Sequence, residues 1–493
     1  MRKRFEAQME LGATPISEIA FNLKSRHELP PVLMALQHIF VQPELNEAIF
    51  TLLEEQVYPD NNHTGRPGMS LWEIFVLSVV RLTLDVDYDF LLDLANNHIK
   101  VRQLLGINTG SFAEQKEYGY QTMHDNILKL DDELLSQINQ LIVKHGHQIK
   151  KNDIGIDVDD KFPLQVKTDS YVLETNIHFP TDLNLMWDCA RKCLDTVEKL
   201  KEKCTLKGMR QSANLRIKTQ KAYRKASEIH RKKGRNYIER LKAATSKYLV
   251  VCGNLQRKVK YTLNDTNSSD LEVMVLLLSL NEYRLLLEKH MDLVERRILL
   301  DQTIPHQEKM FSIFEPHTEW INKGKSHKKV ELGLNLTVST DQNNFVLDYK
   351  ILENQVDKEV TIEMGNRIVT KYPTTMYDHD SISYDRGYYS KLAKEALSKK
   401  FKKVVLPKAG KKTIAETEEE NDETYKVLRK KHSLVEANIN ALEHHGLNKC
   451  PDKGIRGFKK YVALGVISYN LHQLGKLLLQ KAKSAEHRNR QAA

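Results

Sequence analysis

The sequence has few cysteines and no long apolar run. Its five cysteines among 493 residues form an odd, scattered set, which argues against a disulfide framework and favours a reducing compartment. Cys189 and Cys193 are four residues apart, but no second close Cys or His pair accompanies them, so we expect buried cysteines and no zinc site. No stretch of 18 apolar residues is present, and the N-terminus lacks the apolar segment of a secretory signal. We therefore expect no membrane span and a cytoplasmic location.

Acidic residues are outnumbered by basic ones. The chain has 75 Lys and Arg against 65 Asp and Glu, a net charge of +10. Residues 191–250 alone hold 19 basic and 5 acidic side chains. Such an excess favours a polyanionic partner such as nucleic acid, although a charge run is also typical of a solvated helix face or of a merely soluble basic protein. Four cations of this stretch are our candidates for DNA phosphate contacts: Arg231, Lys232, Lys233 and Arg235.

The chain is long enough for more than one domain. Residues 1–150 show helical apolar patterns, and Ser70 with Glu73 three positions later predicts a capping box at the start of an apolar helix. Residues 184–305 are predicted to be helical throughout. The acidic stretch 416–423 is predicted to be a solvated loop, and residues 481–493 a flexible tail.

Apolar alternation predicts several strands between these helical parts. A first strand should end at Asp169, and residues 330–338 and 345–351 should form a β-hairpin. A short strand should end at Asp385, and another should cover residues 404–406. The fold class that we expect is therefore α/β.

Three carboxylates are candidates for a metal site. Asp169 and Asp385 follow predicted strands, and functional groups in α/β sheets collect at the carboxyl ends of strands. Glu436 lies beside Val435 of an apolar helical stripe, which Gly446 should end as a C-cap. Carboxylates that converge repel each other unless a cation joins them, and such oxygen ligands suit Mg²⁺ or Mn²⁺. Because the chain holds 65 Asp and Glu, spacing alone does not single these three out.

Four sequence blocks resemble those of bacterial insertion-sequence transposases with a DDE triad, and most closely the group catalogued as ISNCY. Residues 168–182 read T-D-S-Y-V-L-E-T-N-I-H-F-P-T-D, similar to the family pattern D-S-x-V-x-E-T-N-[IV]-H-[FY]-P-T-D. The other blocks are 313–320, followed by Lys323-Gly324-Lys325; 383–390, which contains Asp385 and Arg386; and 435–447, which contains Glu436. Gly65-Arg66-Pro67 and the helix after it are similar to the helical domain that precedes the catalytic core in the family. The blocks occur in the family's order over most of the chain.

The resemblance implies a fold and a reaction. An RNase H-like mixed-sheet core would comprise residues 151–183 and 306–480, preceded by a helical DNA-binding domain at 1–150 and interrupted by the basic helical insertion 184–305. Asp169, Asp385 and Glu436 would hold two Mg²⁺ or Mn²⁺ ions for DNA cleavage and strand transfer. The partners would be double-stranded DNA, as terminal inverted repeats and target, and further copies of the chain, at the bacterial nucleoid. Lys323, Lys325 and Arg386 are additional candidates for DNA contacts.

One departure from the wider family concerns the helix that carries Glu436. Many relatives have Y-x-x-R-x-x-x-E-x-x-x-x-x-x-K, whereas here His432 and Glu443 occupy the Arg and Lys positions and Arg429 is out of register. We therefore do not carry over the phosphate-binding role, and Glu443 is the alternative to Glu436. Two other functions stay open: an RNase H-like nuclease that does not join strands, and a non-catalytic DNA-binding descendant.

Other polar residues near these blocks have ordinary interpretations. Glu174 and Asp182 could orient Asp169 or bind metal, although supporting or capping roles are favoured, and Asp182 fits an N-cap for the helix from Leu183. His178 and His317 could contact DNA, but hydrogen bonds within the core are favoured. Five further acidic residues are expected in loops: Asp157, Asp159, Asp160, Asp378 and Asp380.

Overall fold

The computed structural model describes residues 3–5, 14–57, 68–109, 116–157, 159–322 and 329–492. The Gly65-Arg66-Pro67 block and the two candidate DNA contacts Lys323 and Lys325 lie outside these residues. The chain divides into two compact units, which are described separately. The sheet unit comprises Met1–Asn176 and Ile321–Ala493, and the helical unit comprises Ile177–Trp320.

The sheet unit begins with helices only, continues into strands and ends in helices. Its helices before the first strand are α1 (Leu29–Val41), α2 (Pro43–Val57), α3 (Leu71–Thr83), α4 (Tyr88–Asn97), α5 (Ile99–Leu104), α6 (Tyr120–Ile127) and α7 (Asp132–Asp153). The helical unit follows strand β1 (Phe162–Thr175) and contains α8 (Asp182–Lys203), α9 (Ser212–Lys232), α10 (Tyr237–Asp265) and α11 (Leu271–Val294). The remaining elements are β2 (Glu319–Ile321), β3 (Glu331–Thr340), β4 (Val346–Leu352), α12 (Asp357–Lys371), β5 (Tyr377–Tyr384), α13 (Lys391–Ser398), β6 (Lys403–Val405), α14 (Ile414–Asn421), α15 (Glu423–His432), α16 (Leu434–Leu442), β7 (Lys449–Cys450) and α17 (Gly454–Ala492).

The strands form one mixed, seven-stranded sheet in the order β2–β3–β1–β5–β6, with β4 also on β3 and β7 on β1. β1, β3 and β4 are antiparallel neighbours, as the predicted hairpin requires. β5 is parallel to β1, and β6 is parallel to β5. The α/β fold class is confirmed, and the sheet combines an antiparallel half with a parallel half on either side of β1.

Two strand predictions need correction. β1 does not end at Asp169 but continues to Thr175, because Asp169–Glu174 pairs with β3 and its last two residues pair with β7. Asp378 and Asp380 lie within β5 rather than in a loop. Both are half-buried and have polar partners: Asp378 pairs with Lys402, and Asp380 accepts a hydrogen bond from Gln165 at 2.8 Å. The described Asp157, Asp159 and Asp160 lie before β1 outside any helix or strand, as predicted.

The N-terminal helices belong to the same compact unit as the sheet, and the two compact units do not divide at residue 150. Their apolar side chains and those of the sheet share one core, because α17 packs against α1, α3 and α7 as well as β4. Buried Asn470 of α17 connects the sheet with helix α7. Its Oδ1 accepts a hydrogen bond from the Val346 amide at 2.8 Å. Its Nδ2 donates to the Val346 carbonyl at 2.8 Å and to Asn139 Oδ1 at 2.6 Å. The predicted capping box of Ser70 and Glu73 is present at the start of α3.

The helical unit is wider than the predicted insertion 184–305, because residues 177–183 and 306–320 belong to it. Its core includes Cys189, Cys193 and Cys252, which are buried and not paired in disulfides. The N-cap of α8 is Thr181, not Asp182. The Thr181 hydroxyl and the Asn184 side chain complete a capping box there, while Asp182 occupies the first helical position and pairs with Arg297 at 2.8 Å.

Two regions predicted to lack regular structure are helical. The acidic stretch forms most of α14, because Thr413 and Glu416 make a capping box and Glu416 also pairs with Lys408 at 2.9 Å. Residues 481–492 are the last turns of α17, where Lys481 pairs with Asp153 and Arg490 with Glu486. Among the described residues, no helix combines the length and apolar character needed to cross a bilayer.

Candidate active site

Asp169 and Asp385 each directly follow a residue of the last register pair between β1 and β5. Thr168 is opposite Tyr384 in the parallel pairing of β1 and β5, so Asp169 and Asp385 are the next residues along each chain. Because side chains alternate along strands, Asp169 shares a face of the sheet with Lys167, whose register partner is Ser383. Asp385 is the first residue after β5, and its backbone is still extended. Asp169 is half-buried within β1, whereas Asp385 is exposed where the chain leaves β5. The sequence predicts both at strand ends, whereas in the structure Asp169 lies within β1 and only Asp385 directly follows a strand.

The turn that follows Asp385 is anchored by hydrogen bonds on the face of the sheet opposite to Lys167 and Asp169. Residues Arg386–Tyr388 form a single 3₁₀ turn, and the Tyr388 amide donates to the Asp385 carbonyl at 3.2 Å. The Tyr388 ring is buried, and its hydroxyl lies 3.3 Å from the Thr337 hydroxyl of β3. Its carbonyl accepts a hydrogen bond from Thr361 of α12 at 2.9 Å. These contacts of Tyr388 therefore hold the backbone of the adjacent Asp385 in place.

His432, at the end of α15, covers the site beside Asp385. Its Nδ1 lies 3.1 Å from Ser383 Oγ, which also donates to the Val166 carbonyl at 3.2 Å. Burial lowers the pKa of His432 to about 4, and the charge of Asp385 opposes this shift. His432 is therefore neutral at pH 7. Sequence reasoning noted this position only as a departure from the family's arginine.

A buried lysine occupies the same face as Asp169. Burial lowers the pKa of Lys167, as does the charge of Lys431, while Asp341 favours its charged form. Asp341 is itself fully buried and accepts hydrogen bonds from the Phe345 amide at 2.7 Å and from His147 at 2.8 Å. A basic group two residues from Asp169 adds positive potential to the site, and the sequence analysis had not identified it.

The third carboxylate is not brought into a compact cluster. Glu436 is exposed in the first turn of α16, four residues after His432, which ends α15. Glu443 lies farther along, where its charge contributes to raising the pKa of buried Tyr171 after the larger effect of burial. Within the described chain, no group of three or more His, Cys, Asp or Glu side chains is close enough to hold a metal ion.

Helix α16 is held on the Asp169 face by a buried amide. Asn438 Nδ2 donates to Thr340 Oγ1 at 3.1 Å, and Asn438 Oδ1 accepts from the Tyr469 hydroxyl of α17 at 3.3 Å. Thr340 is the register partner of Lys167, so α16 passes over the same face as Asp169. The predicted C-cap at Gly446 is wrong for α16, which ends at Leu442 with Glu443 as its C-cap. Gly446 lies in the π-helical turn Glu443–Leu447 that follows, where its φ of 82° suits glycine.

The other acidic and histidine candidates lie apart from the two aspartates or have partners elsewhere. Glu174 is on β1 but faces the opposite side of the sheet from Asp169, because five residues separate them. His178 pairs with Asp188 at 3.2 Å, and this hydrogen bond raises its pKa. His317 lies 3.7 Å from Glu315. These contacts are compatible with the favoured structural roles of both histidines.

The candidate DNA contacts of the helical unit are at the turn between α9 and α10. Arg231, Lys232, Lys233 and Arg235 are all exposed there. Lys232 pairs with Glu228 at 2.7 Å. Cationic side chains of both helices line a shallow depression of about 460 Å³ beside the turn, including Lys221, Arg224, Lys225 and Arg240. In the sheet unit, Arg386 is exposed immediately after Asp385.

Comparison of the chain with protein-family models, curated proteins and solved structures gave no match.

Proposed function

We propose that the sheet unit is an RNase H-like catalytic core and that the protein is a DNA transposase that cuts and joins DNA with Mg²⁺ or Mn²⁺. The observation that carries this proposal is that Asp169 and Asp385 each directly follow the register pair of Thr168 and Tyr384 on the parallel strands β1 and β5. Among the longer strands, Asp169 is on the first and Asp385 follows the fourth, which is the order implied by the resemblance to DDE transposases. Asp385 lies 216 positions after Asp169, and the segment between them includes the helical unit as an insertion.

The chemistry of the two aspartates fits a divalent ion. Carboxylate oxygens are preferred ligands of Mg²⁺ and Mn²⁺, and a cation would relieve the repulsion between neighbouring negative charges. A pair of such ions activates an attacking oxygen and stabilises a leaving oxygen in phosphoryl transfer. Glu436 would complete the donor set, and the anchored turn at Tyr388 would keep Asp385 oriented. Because water and a DNA 3′-hydroxyl are the nucleophiles, no serine or tyrosine nucleophile is required.

DNA would be held largely through its phosphates. The exposed cations at the α9–α10 turn and Arg386 beside Asp385 have the chemistry for backbone contacts, which position DNA without reading its sequence. We infer a strongly salt-dependent affinity, because each phosphate contact releases counterions. The terminal inverted repeats of the protein's own element and a target duplex would be the substrates. Because two element ends must be held together, we propose a homo-oligomer acting at the bacterial nucleoid.

A joining assay tests this function. The protein is mixed with Mg²⁺ or Mn²⁺, a target plasmid and duplexes that carry pre-cut element ends taken from the DNA flanking the reading frame. Parent protein should join the 3′ ends to the plasmid, and Asp169→Asn should not, although it should still shift the duplex in a gel. The matched control is Asp160→Asn, which lies before β1 and should join as the parent does.

The same assay separates the two alternatives. Cleavage of intact ends without joining of pre-cut ends would favour an RNase H-like nuclease. DNA binding without either reaction would favour a non-catalytic DNA-binding descendant. Joining by Asp169→Asn at the parental rate would refute the site.

A further inference from the structure

The helical unit contains a cavity that the proposed strand-transfer chemistry does not use. Its volume is about 510 Å³, within the range of about 300–1,000 Å³ that is typical of small-molecule sites. The segment before α8, the start of α10, the end of α11 and the stretch that follows α11 enclose it. All of its lining residues belong to the helical unit.

One wall of the cavity is aromatic. Phe179 and Trp320 meet edge to face with ring centroids 5.6 Å apart, and the Phe311 ring centroid lies 5.5 Å from that of Trp320. His306 extends the row, 5.5 Å from Phe311. Phe179 is 60% exposed, so this ring presents apolar surface that a planar ligand would cover. Aromatic rows of this kind bind rings by stacking.

A buried histidine forms part of the cavity lining. His290 of α11 is only 1% exposed, and within the described chain neither of its ring nitrogens has a hydrogen-bond partner. Burial lowers its pKa to about 4, so the ring is neutral with one N–H donor and one acceptor nitrogen. Leaving two buried polar atoms unsatisfied is costly. A ligand with both an acceptor and a donor on its edge would satisfy them.

Cations line the same cavity. Arg297 pairs with Asp182 at 2.8 Å and Lys242 pairs with Asp301 at 2.6 Å, so these two charges are balanced. Lys309 also lines the cavity and has no acidic partner in the described part of the chain. Its ammonium group is therefore available to an anion.

We propose that this cavity binds one nucleotide, with its base on the wall formed by Phe179 and Trp320, its hydrogen-bonding edge at His290 and its phosphate at Lys309. Neutral planar heterocycles with both donors and acceptors fit the wall and the histidine, and the phosphate fits the unbalanced cation. The nucleotide could be free in solution or part of a single strand, since both present the same chemistry. The inference does not depend on the proposed strand transfer, because it concerns binding alone.

Fluorescence titration of the full-length protein tests the inference. The probes are 2-aminopurine deoxyriboside 5′-monophosphate and a short single-stranded oligonucleotide with one 2-aminopurine, and ribose 5-phosphate is the competitor without a base. Stacking on Trp320 or Phe179 should quench the probe. Tighter binding of the monophosphate would identify a free nucleotide as the ligand, and tighter binding of the oligonucleotide would identify a strand.

Three variants locate the binding site. Phe179→Ala should weaken binding about tenfold, because stacking on one aromatic ring contributes roughly 1–3 kcal/mol per base. His290→Leu, which removes the polar edge but keeps the volume, should weaken it also. The control Phe314→Ala removes an exposed ring of the same unit outside the cavity and should leave affinity unchanged.

Several results would overturn the inference. One is that neither probe is quenched. Another is that ribose 5-phosphate competes as strongly as the nucleotide does. The third is that Phe179→Ala binds the probe with the affinity of the parent. Phe179 is largely exposed, so its substitution does not threaten folding. The outcome for that variant is therefore informative even if His290→Leu, in the core, unfolds the unit.

Discussion

Replacing Asp385 with Asn should stabilise the metal-free protein slightly and abolish its stabilisation by Mn²⁺. Asp169 and Asp385 each follow the register pair of Thr168 and Tyr384 on the parallel strands β1 and β5, and the backbones of such strands are about 4.8 Å apart. Two unit charges at that distance repel by about 1 kcal/mol at the permittivity of water. Because Asp385 is exposed, this screened value is the appropriate one. Asn keeps the shape of the side chain and removes the repulsion.

Binding of Mn²⁺ provides the second half of the prediction. A ligand at 100 times its dissociation constant stabilises the folded state by about 2.7 kcal/mol. The parent should gain about that much free energy of unfolding when Mn²⁺ is added, and Asp385→Asn should gain much less. Metal therefore reverses the order of stability of the two proteins, which a general loss of stability in the variant would not do.

Urea unfolding followed by tryptophan fluorescence measures both effects. The chain has three tryptophans, and Trp72 is the one buried in the core of the sheet unit. A background with Trp187→Phe and Trp320→Phe therefore confines the signal to that unit. The control Asp378→Asn removes a carboxylate from the same strand, where it pairs with Lys402, and should keep the full response to Mn²⁺. Equal Mn²⁺ stabilisation of parent and Asp385→Asn would show that Asp385 is not a ligand.

Three further outcomes are expected. Burial lowers the pKa of His445 to about 4 in the folded state, so as the pH falls below about 6.5 this histidine is protonated first in the unfolded chain. The free energy of unfolding should therefore decrease between pH 7 and 5. Measured by urea unfolding, this decrease should be about 2 kcal/mol smaller in His445→Gln. Gly333→Ala would press its Cβ against the Leu173 carbonyl of β1 and should lower the free energy of unfolding in urea by at least about 1–3 kcal/mol; unchanged stability would contradict the close approach. In a cleavage assay, Glu436→Gln should lose activity while Glu443→Gln keeps most of it, and the opposite ranking would move the third ligand to Glu443.

Local pattern was sufficient for much of the sheet. The β3–β4 hairpin was predictable because apolar residues alternate on both sides of a stretch rich in turn-forming residues, which is a short-range signal. The capping box at Ser70 was predictable for the same reason, since both of its partners are three residues apart. Both features were predictable because the spacing of side chains over a few neighbouring residues indicates them.

Long-range packing was not predictable in this way. β1 was expected to stop at Asp169, after the alternating residues 164–168, yet β3 and β7 supply hydrogen-bond partners for the rest of it. The N-terminal helices were expected to form their own domain, yet α17 brings them into the core of the sheet. Asn470 bonds to Asn139, 331 residues away. Such contacts depend on where distant segments meet, which periodicity does not encode.

Part of the candidate site was likewise predictable from local sequence pattern, and part depends on long-range packing. Asp169 and Asp385 each follow a strand signal, and parallel pairing of β1 with β5 places the residues just before them opposite each other. The third ligand depends on the path of a helix across the sheet. α16 begins beside His432 and Asp385 and ends in a turn where Glu443 influences Tyr171, and seven residues separate its two glutamates, so both fall on similar sides of the helix. Sequence spacing therefore does not distinguish them. We propose Glu436 as the third ligand because it begins α16 shortly after His432, whose pKa the charge of Asp385 influences.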